Sequence, residues 1–225
     1  RQHHGNVSQL DHAFGRLMTA LDDQKLTDTT FVFFTSDNGP EGNGEKGRTR
    51  GSTGGLRGRK RSMYEGGIRV PGLARWPGRI PSGTTVDVPV VGSDFFPTVL
   101  GVAGVKPPAG RTLDGVDVLP ALTGKGAVER PVPLYWRLNM APEPVHVAMR
   151  KGDWKLLATE DLTAFELYDL KADPKETTDL KGREPERFAA MRKELAAAHG
   201  QIEAEGPDWW RRLSPNGGTA KKDKK

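Results

Sequence analysis

The sequence predicts an α/β protein with a smaller α+β part at its C-terminal end, and three observations support this fold class. A helical pattern near the N-terminus is followed by the apolar run Phe31-Val32-Phe33-Phe34, which is typical of a strand buried between helices. After Pro131 the pattern changes to short strands at close spacing, and an alanine-rich helix follows. The 225 residues are 35% hydrophobic, enough for one large domain or for a medium and a small one.

The N-terminal part begins with a predicted helix and continues with the apolar strand. In residues 7–21, apolar side chains recur with the 3.6-residue period of a helix, and polar side chains lie between them. The strand at 31–34 is apolar at every position, which favours burial on both faces in a parallel sheet. Val86–Val91 has the composition of another strand, and Asp94–Ala103 is predicted as a helix with Asp94 or the preceding serine as its N-cap.

The C-terminal part has the pattern of an antiparallel meander followed by a helix. The second and third of its strands are joined by Lys151-Gly152-Asp153, a sequence typical of a hairpin turn. The run Glu184–His199 is rich in alanine and places Phe188, Met191 and Leu195 on one face, which predicts a helix. The predicted strands are Val132–Arg137, Val145–Arg150, Trp154–Ala158 and Phe165–Leu170.

A glycine- and proline-rich stretch at 104–115 separates the two patterns, and we place the boundary between them at 127/128. Residues 1–127 are predicted to belong to the larger α/β domain, and residues 128–212 to form a small α+β subdomain. The segment 213–225 is polar and rich in glycine and lysine, so we predict a disordered basic tail.

Composition and charge exclude several classes of site. The sequence has no cysteine, which rules out disulfides, zinc–cysteine sites, iron–sulfur ligation and a thiol nucleophile. No run approaches the roughly 20 apolar residues of a membrane-spanning helix. The net charge is +5, but residues 221–225 carry +3 and residues 41–61 carry +5, so the remainder is mildly acidic. This distribution favours a local anion site over a nucleic-acid-binding face.

The sequence Ser36-Asp37-Asn38-Gly39 directly follows the predicted apolar strand. Open α/β sheets bind ligands at the carboxyl ends of their strands. Asp37 offers a carboxylate and Asn38 an amide oxygen, and both are hard donors suited to calcium or magnesium. The alternative is a tight turn without a ligand, because Asp-Asn-Gly is also among the best turn-forming triplets.

A basic segment at 54–61 combines three glycines with four cations. Such a segment can wrap a tetrahedral oxyanion, with Lys60 as a point charge and backbone amides as donors. Its spacing does not match the phosphate-binding P-loop, and a solvated basic loop or a nonspecific polyanion patch is the alternative. The pair Gly66-Gly67, further along, predicts a close approach of two backbone segments.

Several motifs, in order along the chain, together resemble the second half of the sulfatase family. The most specific are FVFFTSDNGPEG at 31–42 and GGLRGRKRSMYEGGIRVPGLARWPGRI at 54–80. The resemblance covers nearly the whole chain except its C-terminal tail, and so many ordered motifs exclude chance agreement. It continues through Asp94–Thr98, Leu113–Asp117, Ala148–Leu156 and Glu166–Leu170.

The resemblance implies part of an alkaline-phosphatase-like central sheet flanked by helices, and a small C-terminal subdomain of antiparallel strands and a helix. It implies that Asp37 and Asn38 coordinate calcium, with magnesium as an alternative, and that Lys60 is the catalytic and substrate-binding lysine that contacts the sulfate oxygens. It also implies hydrolysis of sulfate esters by a formylglycine, made from the cysteine or serine of a Cys/Ser-x-Pro/Ala-x-Arg motif. Calcium and lysine offset the negative charge on the sulfuryl oxygens.

The nucleophile motif is absent from these 225 residues, because there is no cysteine and the serines lie outside that pattern. We therefore expect the formylglycine and the remaining calcium ligands in an N-terminal half that this sequence does not include, and we expect the chain alone to be inactive. The expected substrate is a small-molecule or carbohydrate sulfate ester, with no nucleic-acid partner. The resemblance favours a periplasmic or secreted protein.

Two other functions fit the same residues. One is a phosphonate or phosphate ester hydrolase of the same superfamily, which shares the fold and the metal chemistry and differs in the nucleophile motif. The other is a non-catalytic anion-binding module that uses the basic segment. Calcium dependence separates this module from a sulfatase, because a polybasic loop needs no metal and its anion binding weakens steeply with salt.

Overall fold

The computed structural model describes residues 2–42, 51–110 and 112–206. Two short 3₁₀ turns precede the first strand and the third helix, at Thr27–Thr29 and Gly92–Asp94. In chain order, the helices and strands are α1 (Gln2–Asp23), β1 (Val32–Thr35), α2 (Glu65–Ile68), β2 (Gly72–Arg75), α3 (Phe95–Ala103), α4 (Leu119–Leu122), β3 (Leu134–Arg137), β4 (Val147–Lys151), β5 (Trp154–Ala158), β6 (Phe165–Asp169) and α5 (Pro185–Glu205).

The chain divides into two compact units. The N-terminal unit contains residues 1–52 and 69–134, and the C-terminal unit contains residues 53–68 and 135–225. The sequence suggested a single division at 127/128 and left the segment 53–68 with the N-terminal residues. The structure groups this segment with the C-terminal unit because its side chains contact residues about 100 positions further along the chain. That the two parts are separate domains stays a prediction, and the predicted basic tail lies outside the described residues.

In the N-terminal unit, β1 lies between two helices. The Phe34 ring contacts Phe14 of α1 with centroids 5.4 Å apart, and the Phe33 ring contacts Phe95 of α3 at 5.9 Å. Because successive side chains of a strand point to opposite faces, these two residues bring α1 and α3 to opposite faces of β1. The predicted first helix and the predicted apolar strand are thereby confirmed.

The pairing of β1 differs from the prediction. It is antiparallel to β2, with Phe33 opposite Ala74 and Phe34 opposite Leu73, and its apolar residues are half-buried. Within the described residues this sheet has two strands. A strand in a two-stranded sheet lacks the neighbours and the full helical layers that bury a parallel strand on both faces.

The strand predicted at Val86–Val91 is wrong, because the chain is irregular there. Pro89 has no amide hydrogen for a sheet ladder, and the amide of Val91 donates a hydrogen bond of 2.9 Å to the Asp94 carboxylate instead. The helix that follows is confirmed as α3, which begins at Phe95. The predicted side-chain cap is absent, since neither Asp94 nor the preceding serine bonds to the first amides of α3.

The C-terminal unit contains an antiparallel sheet with the strand order β3-β4-β5-β6. Lys151 pairs with Trp154 across the tight turn between β4 and β5, and Gly152 in this turn has a φ of 60° that glycine adopts without strain. All four predicted strands of this part are present, and the predicted helix is α5. The prediction succeeds here because strand composition, turn residues and spacing indicate the same structure.

The two faces of this sheet are covered by different segments. On one face, alternate strand residues such as Met149 and Leu156 pack with Met191 and Leu195 of α5. The other face is covered by the segment that carries α2: Met63, Tyr64 and Ile68 pack against Val145, Ala148, Leu157, Tyr168 and Leu170. This arrangement makes residues 63–68, which directly follow the basic segment, part of the core of the C-terminal unit.

Candidate functional site

Asp37 and Asn38 lie in the N-terminal unit, at the carboxyl end of β1, as the sequence predicts. The amide nitrogen of Asn38 donates a 2.9 Å hydrogen bond to the carbonyl of Gly39, which fixes the plane of the side-chain amide. The hydroxyl of Ser36 donates to the carbonyl of Asn38 at 3.2 Å. Asp37 is exposed, and Asn38 is half-buried beside the buried Gly39.

These two side chains fit a calcium ion in chemical type but supply only part of a coordination shell. A carboxylate and an amide oxygen are ligands of the kind that calcium takes, and calcium takes six to eight oxygens. Over the described ranges 2–42, 51–110 and 112–206, no group of three or more His, Cys, Asp and Glu side chains is arranged to hold a metal. The remaining ligands of such a site would have to come from other groups or from water.

Lys60 lies in the C-terminal unit, in a tight turn that begins at Arg59 and ends at Ser62. The amide of Ser62 donates a 2.8 Å hydrogen bond to the carbonyl of Arg59, and Lys60 is half-buried. Arg61 has a φ of 76°, in the left-handed region that favours glycine at this position of a turn. A non-glycine residue keeps this conformation only where its surroundings enforce it.

The glycine pair Gly66-Gly67 packs directly against this turn and the residues just before it, which confirms the close backbone approach predicted from the sequence. A Cβ on Gly66 would lie 2.3 Å from the carbonyl oxygen of Gly58 and 2.5 Å from that of Arg57. A Cβ on Gly67 would lie 2.2 Å from the carbonyl oxygen of Ser62. No side chain fits in either place, so the turn that carries Lys60 is seated on α2.

A buried cluster of charges joins this segment to the sheet. Lys155 of β5 extends its ammonium group to the face covered by α2, where Nζ lies 2.9 Å from Glu65 Oε1 and 2.8 Å from Glu176 Oε1. The other carboxylate oxygen of Glu176 accepts a 2.6 Å hydrogen bond from the amide of Glu65. Burial raises the pKa of Glu176, and the ammonium of Lys155 opposes that shift.

A second layer, made of two buried tyrosines and the more exposed Arg57 and Glu166, lies beside this cluster. The guanidinium of Arg57 stacks over the Tyr64 ring at 3.7 Å and donates to the Tyr168 hydroxyl at 2.9 Å and to the Glu176 carbonyl at 3.0 Å. Both tyrosine hydroxyls donate to Glu166, at 2.8 and 2.7 Å. Burial and this carboxylate raise the pKa of both tyrosines, so the hydroxyls stay protonated donors.

Glu65, Lys155 and Glu176 were not predicted from the sequence as residues of the site. A lysine inside the apolar strand Trp154–Ala158 was a usable signal, because a charged residue among core positions indicates a buried partner. The sequence does not indicate which residues pair with Lys155, since Glu65 lies 90 positions away from it.

Two family models match the chain. The model described as "Sulfatase" matches residues 1–105, and the model described as "N-sulphoglucosamine sulphohydrolase, C-terminal" matches residues 58–203. Lys60 falls within both ranges, and Asp37 and Asn38 fall within the first.

Curated relatives and solved structures agree with these matches. Human steryl-sulfatase is 32% identical over 235 residues and human arylsulfatase A is 36% identical over 227, covering 90% and 88% of this chain. The chain spans only 40% and 43% of the length of these two relatives. N-acetylgalactosamine-6-sulfatase of the dog is 40% identical over 131 residues, 58% of this chain and 25% of its own length.

Among solved structures, BT4656 in complex with its substrate D-glucosamine-2-N,6-O-disulfate has a TM-score of 0.68 at 29% identity. The match covers 90% of this chain and 40% of that chain. The PsFucS1 sulfatase from Pseudoalteromonas sp. has a TM-score of 0.65 at 25% identity, covering 84% of this chain and 41% of that chain.

Within the part of this chain that the structure describes, no helix has the length and apolarity needed to cross a membrane.

Proposed function

Because the chain belongs to the sulfatase family, we propose that it is part of a sulfuric ester hydrolase and supplies its sulfate-binding lysine and two of its calcium ligands. The observation that carries the proposal is the packing of the turn that contains Lys60. A half-buried lysine stands in a turn whose backbone packs on two glycines, and this turn lies within the ranges matched by both family models. A lysine in a solvated surface loop does not require backbone packing of this kind.

Lys60 binds the substrate through the non-bridging oxygens of the sulfate group. A compact ammonium group approaches a tetrahedral anion without the planar geometry that a guanidinium requires. The negative charge on these oxygens is offset by a cation that the fold already holds in place, which is how fixed charges stabilise transition states.

Asp37 and Asn38 hold calcium through the carboxylate and the amide oxygen. Calcium, when bound, would supply positive charge that offsets negative charge on a substrate. The hydrogen bond from Asn38 Nδ2 to the Gly39 carbonyl supports this role, because it leaves the amide oxygen on the opposite side available to a cation. The formylglycine nucleophile lies outside these 225 residues, which contain no cysteine.

The substrate class that we propose is a sulfated carbohydrate. BT4656, a structural neighbour at 29% identity, is bound to a glucosamine disulfate substrate, and one family model is that of a sulphohydrolase of N-sulphoglucosamine. The same proposal includes a periplasmic or secreted location, where such sugars would reach the protein.

The experiment is a calorimetric titration of the 225-residue chain with inorganic sulfate, with calcium present and with calcium removed by a chelator. Lys60→Ala is expected to weaken sulfate binding about tenfold or more, the loss of one charge-assisted contact. Arg59→Ala is the matched control, because it removes a neighbouring cation from the same turn. Equal losses in both variants, without calcium dependence and with a steep salt dependence, would contradict the proposal and indicate a nonspecific polyanion patch.

A further inference from the structure

The ion cluster of Glu65, Lys155 and Glu176 is unusual in its burial. Lys155 and Glu176 have no exposed side-chain surface, and Glu65 has 3%. Transfer of each charge out of water is unfavourable by several kcal/mol, and attraction within the cluster offsets this only where the geometry is good. In proteins, the replacement of a buried ion pair by apolar residues of similar volume is often neutral or stabilising. The cluster therefore needs an explanation other than stability.

Unlike apolar side chains, charged groups pair with specific partners, and this fixes the positions of the segments that carry them. The Lys155 ammonium ties two carboxylates at distances of 2.9 and 2.8 Å, and these come from two separate parts of the chain. Glu65 is the first residue of α2, and Glu176 belongs to the loop after β6. Because Glu176 also accepts from the Glu65 amide at 2.6 Å, both the side chain and the backbone of Glu65 are fixed.

Fixing Glu65 fixes the turn that carries Lys60. Gly67 lies so close to the carbonyls of Arg59 and Ser62 in the turn, and Gly66 to those of Arg57 and Gly58 just before it, that a Cβ would overlap them. Any displacement of α2 would therefore displace the turn. Backbone strain is present at both ends of this connection, since Arg61 and Glu176 have φ values of 76° and 56°.

We propose that Glu65, Lys155 and Glu176 are positioning residues for Lys60: the buried cluster sets the place of the sulfate-binding lysine through α2. This inference rests on the proposed role of Lys60 in binding sulfate. It makes the small sheet of the C-terminal unit a functional part of the site. None of the three positioning residues contacts the substrate.

Amide hydrogen exchange of the full chain tests the structural half of this inference. Lys155→Met removes the central cation and keeps most of its volume, and Glu65→Ala leaves a neutral Lys155–Glu176 pair, so it serves if Lys155→Met does not fold. In either variant, amides at 59–67 are expected to exchange about tenfold faster or more, because local opening becomes easier. Unchanged exchange at 59–67 in both folded variants would overturn the inference.

Sulfate titration tests the functional half against two controls. Lys151→Met is the same change in an exposed ion pair with Glu194, and Leu195→Ala removes core packing on the opposite face of the sheet. Lys155→Met and Glu65→Ala are expected to lose about tenfold in sulfate affinity, as Lys60→Ala does, while both controls keep it. A loss in Leu195→Ala equal to that in Lys155→Met would reduce the cluster to general stability and overturn the inference.

The two proposals fail in different ways. If Lys60→Ala loses sulfate affinity while Lys155→Met and Glu65→Ala bind sulfate as the parent does, the positioning inference is overturned and the proposed function stands. If Lys60→Ala binds sulfate normally, the proposed function is overturned. Faster exchange at 59–67 in the cluster variants would then still support the cluster as the device that fixes the turn.

Discussion

Lys60 stands among arginines, and one of these, Arg57, has a defined set of contacts within the C-terminal unit. The Arg57 guanidinium is held between the Tyr64 ring and the Tyr168 hydroxyl, and it lies 3.7 Å from the Glu166 carboxylate. Its donors are directed to the protein, so this arginine supports the segment. That Lys60, and not Arg57, meets the substrate anion stays a prediction.

The glycines beneath the Lys60 turn give the first prediction. Gly66→Ala would place a Cβ 2.3 Å from a backbone carbonyl oxygen, and overpacking of this kind destabilises by about 1–3 kcal/mol. Gly15→Ala in α1 is the matched control, because nothing lies within 4 Å of its Cβ position and alanine is the better helix former. Urea unfolding should give opposite signs for the two changes. Equal midpoints would contradict the packing described here.

The pH dependence of stability gives the second prediction, at His199 of α5. Its Nδ1 lies 2.8 Å from the Tyr135 hydroxyl, and burial, together with the charge of Arg137, lowers the pKa of His199. The unfolded chain therefore binds this proton at a higher pH than the folded protein does. The free energy of unfolding should fall as the pH drops below about 6.5, and the loss should be complete below the lowered pKa.

His199→Gln should reduce this slope of the free energy of unfolding against pH, because it removes the group whose pKa folding lowers. The measurement is denaturant unfolding at a series of pH values on either side of neutrality. A His199→Gln protein with the same slope as the parent would contradict the assignment.

At the scale of elements, Asp94 holds the start of α3 to two distant loops. Its fully buried carboxylate accepts the amides of Val91 and Val116, each at 2.9 Å, and pairs with the Arg130 guanidinium, whose Nη1 lies 2.8 Å away. The carboxylate thus satisfies groups from three parts of the N-terminal unit. This explains an aspartate at the position where a helix cap is expected but absent.

Asp94→Ala should destabilise the protein by about 3–5 kcal/mol, because it leaves the Arg130 charge and two amides without their partner. Asp87→Ala, at an exposed position nearby, is the control and should change stability by less than about 0.5 kcal/mol. Thermal or denaturant unfolding followed by circular dichroism measures both. A change of less than about 1 kcal/mol in Asp94→Ala would contradict this role of the Asp94 carboxylate.

Local elements were predictable where the sequence carries several agreeing signals. The β4–β5 hairpin was found because Gly152 marks a turn between two apolar strands, and α5 was found from its spacing of Met191 and Leu195. The strand expected at Val86–Val91 failed because apolar composition outweighed the missing amide of Pro89. The prediction that β1 belongs to a parallel sheet was wrong because an apolar run indicates burial and does not indicate the direction of the neighbouring strand.

At the scale of the whole molecule, the residues proposed for the site come from sequence motifs, whereas the contacts that support them could not be predicted from the sequence. Asp37, Asn38 and Lys60 stand in motifs that can be recognised along the chain. The grouping of 53–68 with the C-terminal unit depends on Lys155, Glu166 and Tyr168, whose contacts span about 100 positions. Such long-range pairing follows from the folded chain and has no local pattern.

The fourth prediction concerns the chain as it stands. The 225 residues contain no cysteine and no serine in the formylglycine pattern, so the purified chain should not turn over an aryl sulfate. Its N-terminal unit also exposes large apolar side chains, among them Leu73 at 62% and Phe95 and Phe96 at 52% each. Light scattering should therefore show association that increases with concentration. Turnover that Asp37→Ala abolishes would contradict this prediction.

The central claim is that Lys60 itself contacts the sulfate group, and residue-resolved amine labelling tests it most directly. The chain is treated with a lysine-acylating reagent, with and without inorganic sulfate, in the presence of calcium, and each lysine is quantified by mass spectrometry. Lys171 and Lys193, exposed in the same unit, serve as internal controls. The account predicts that sulfate protects Lys60 and leaves both controls unprotected. Equal labelling of Lys60 with and without sulfate, at concentrations where sulfate binding is measured, would contradict it.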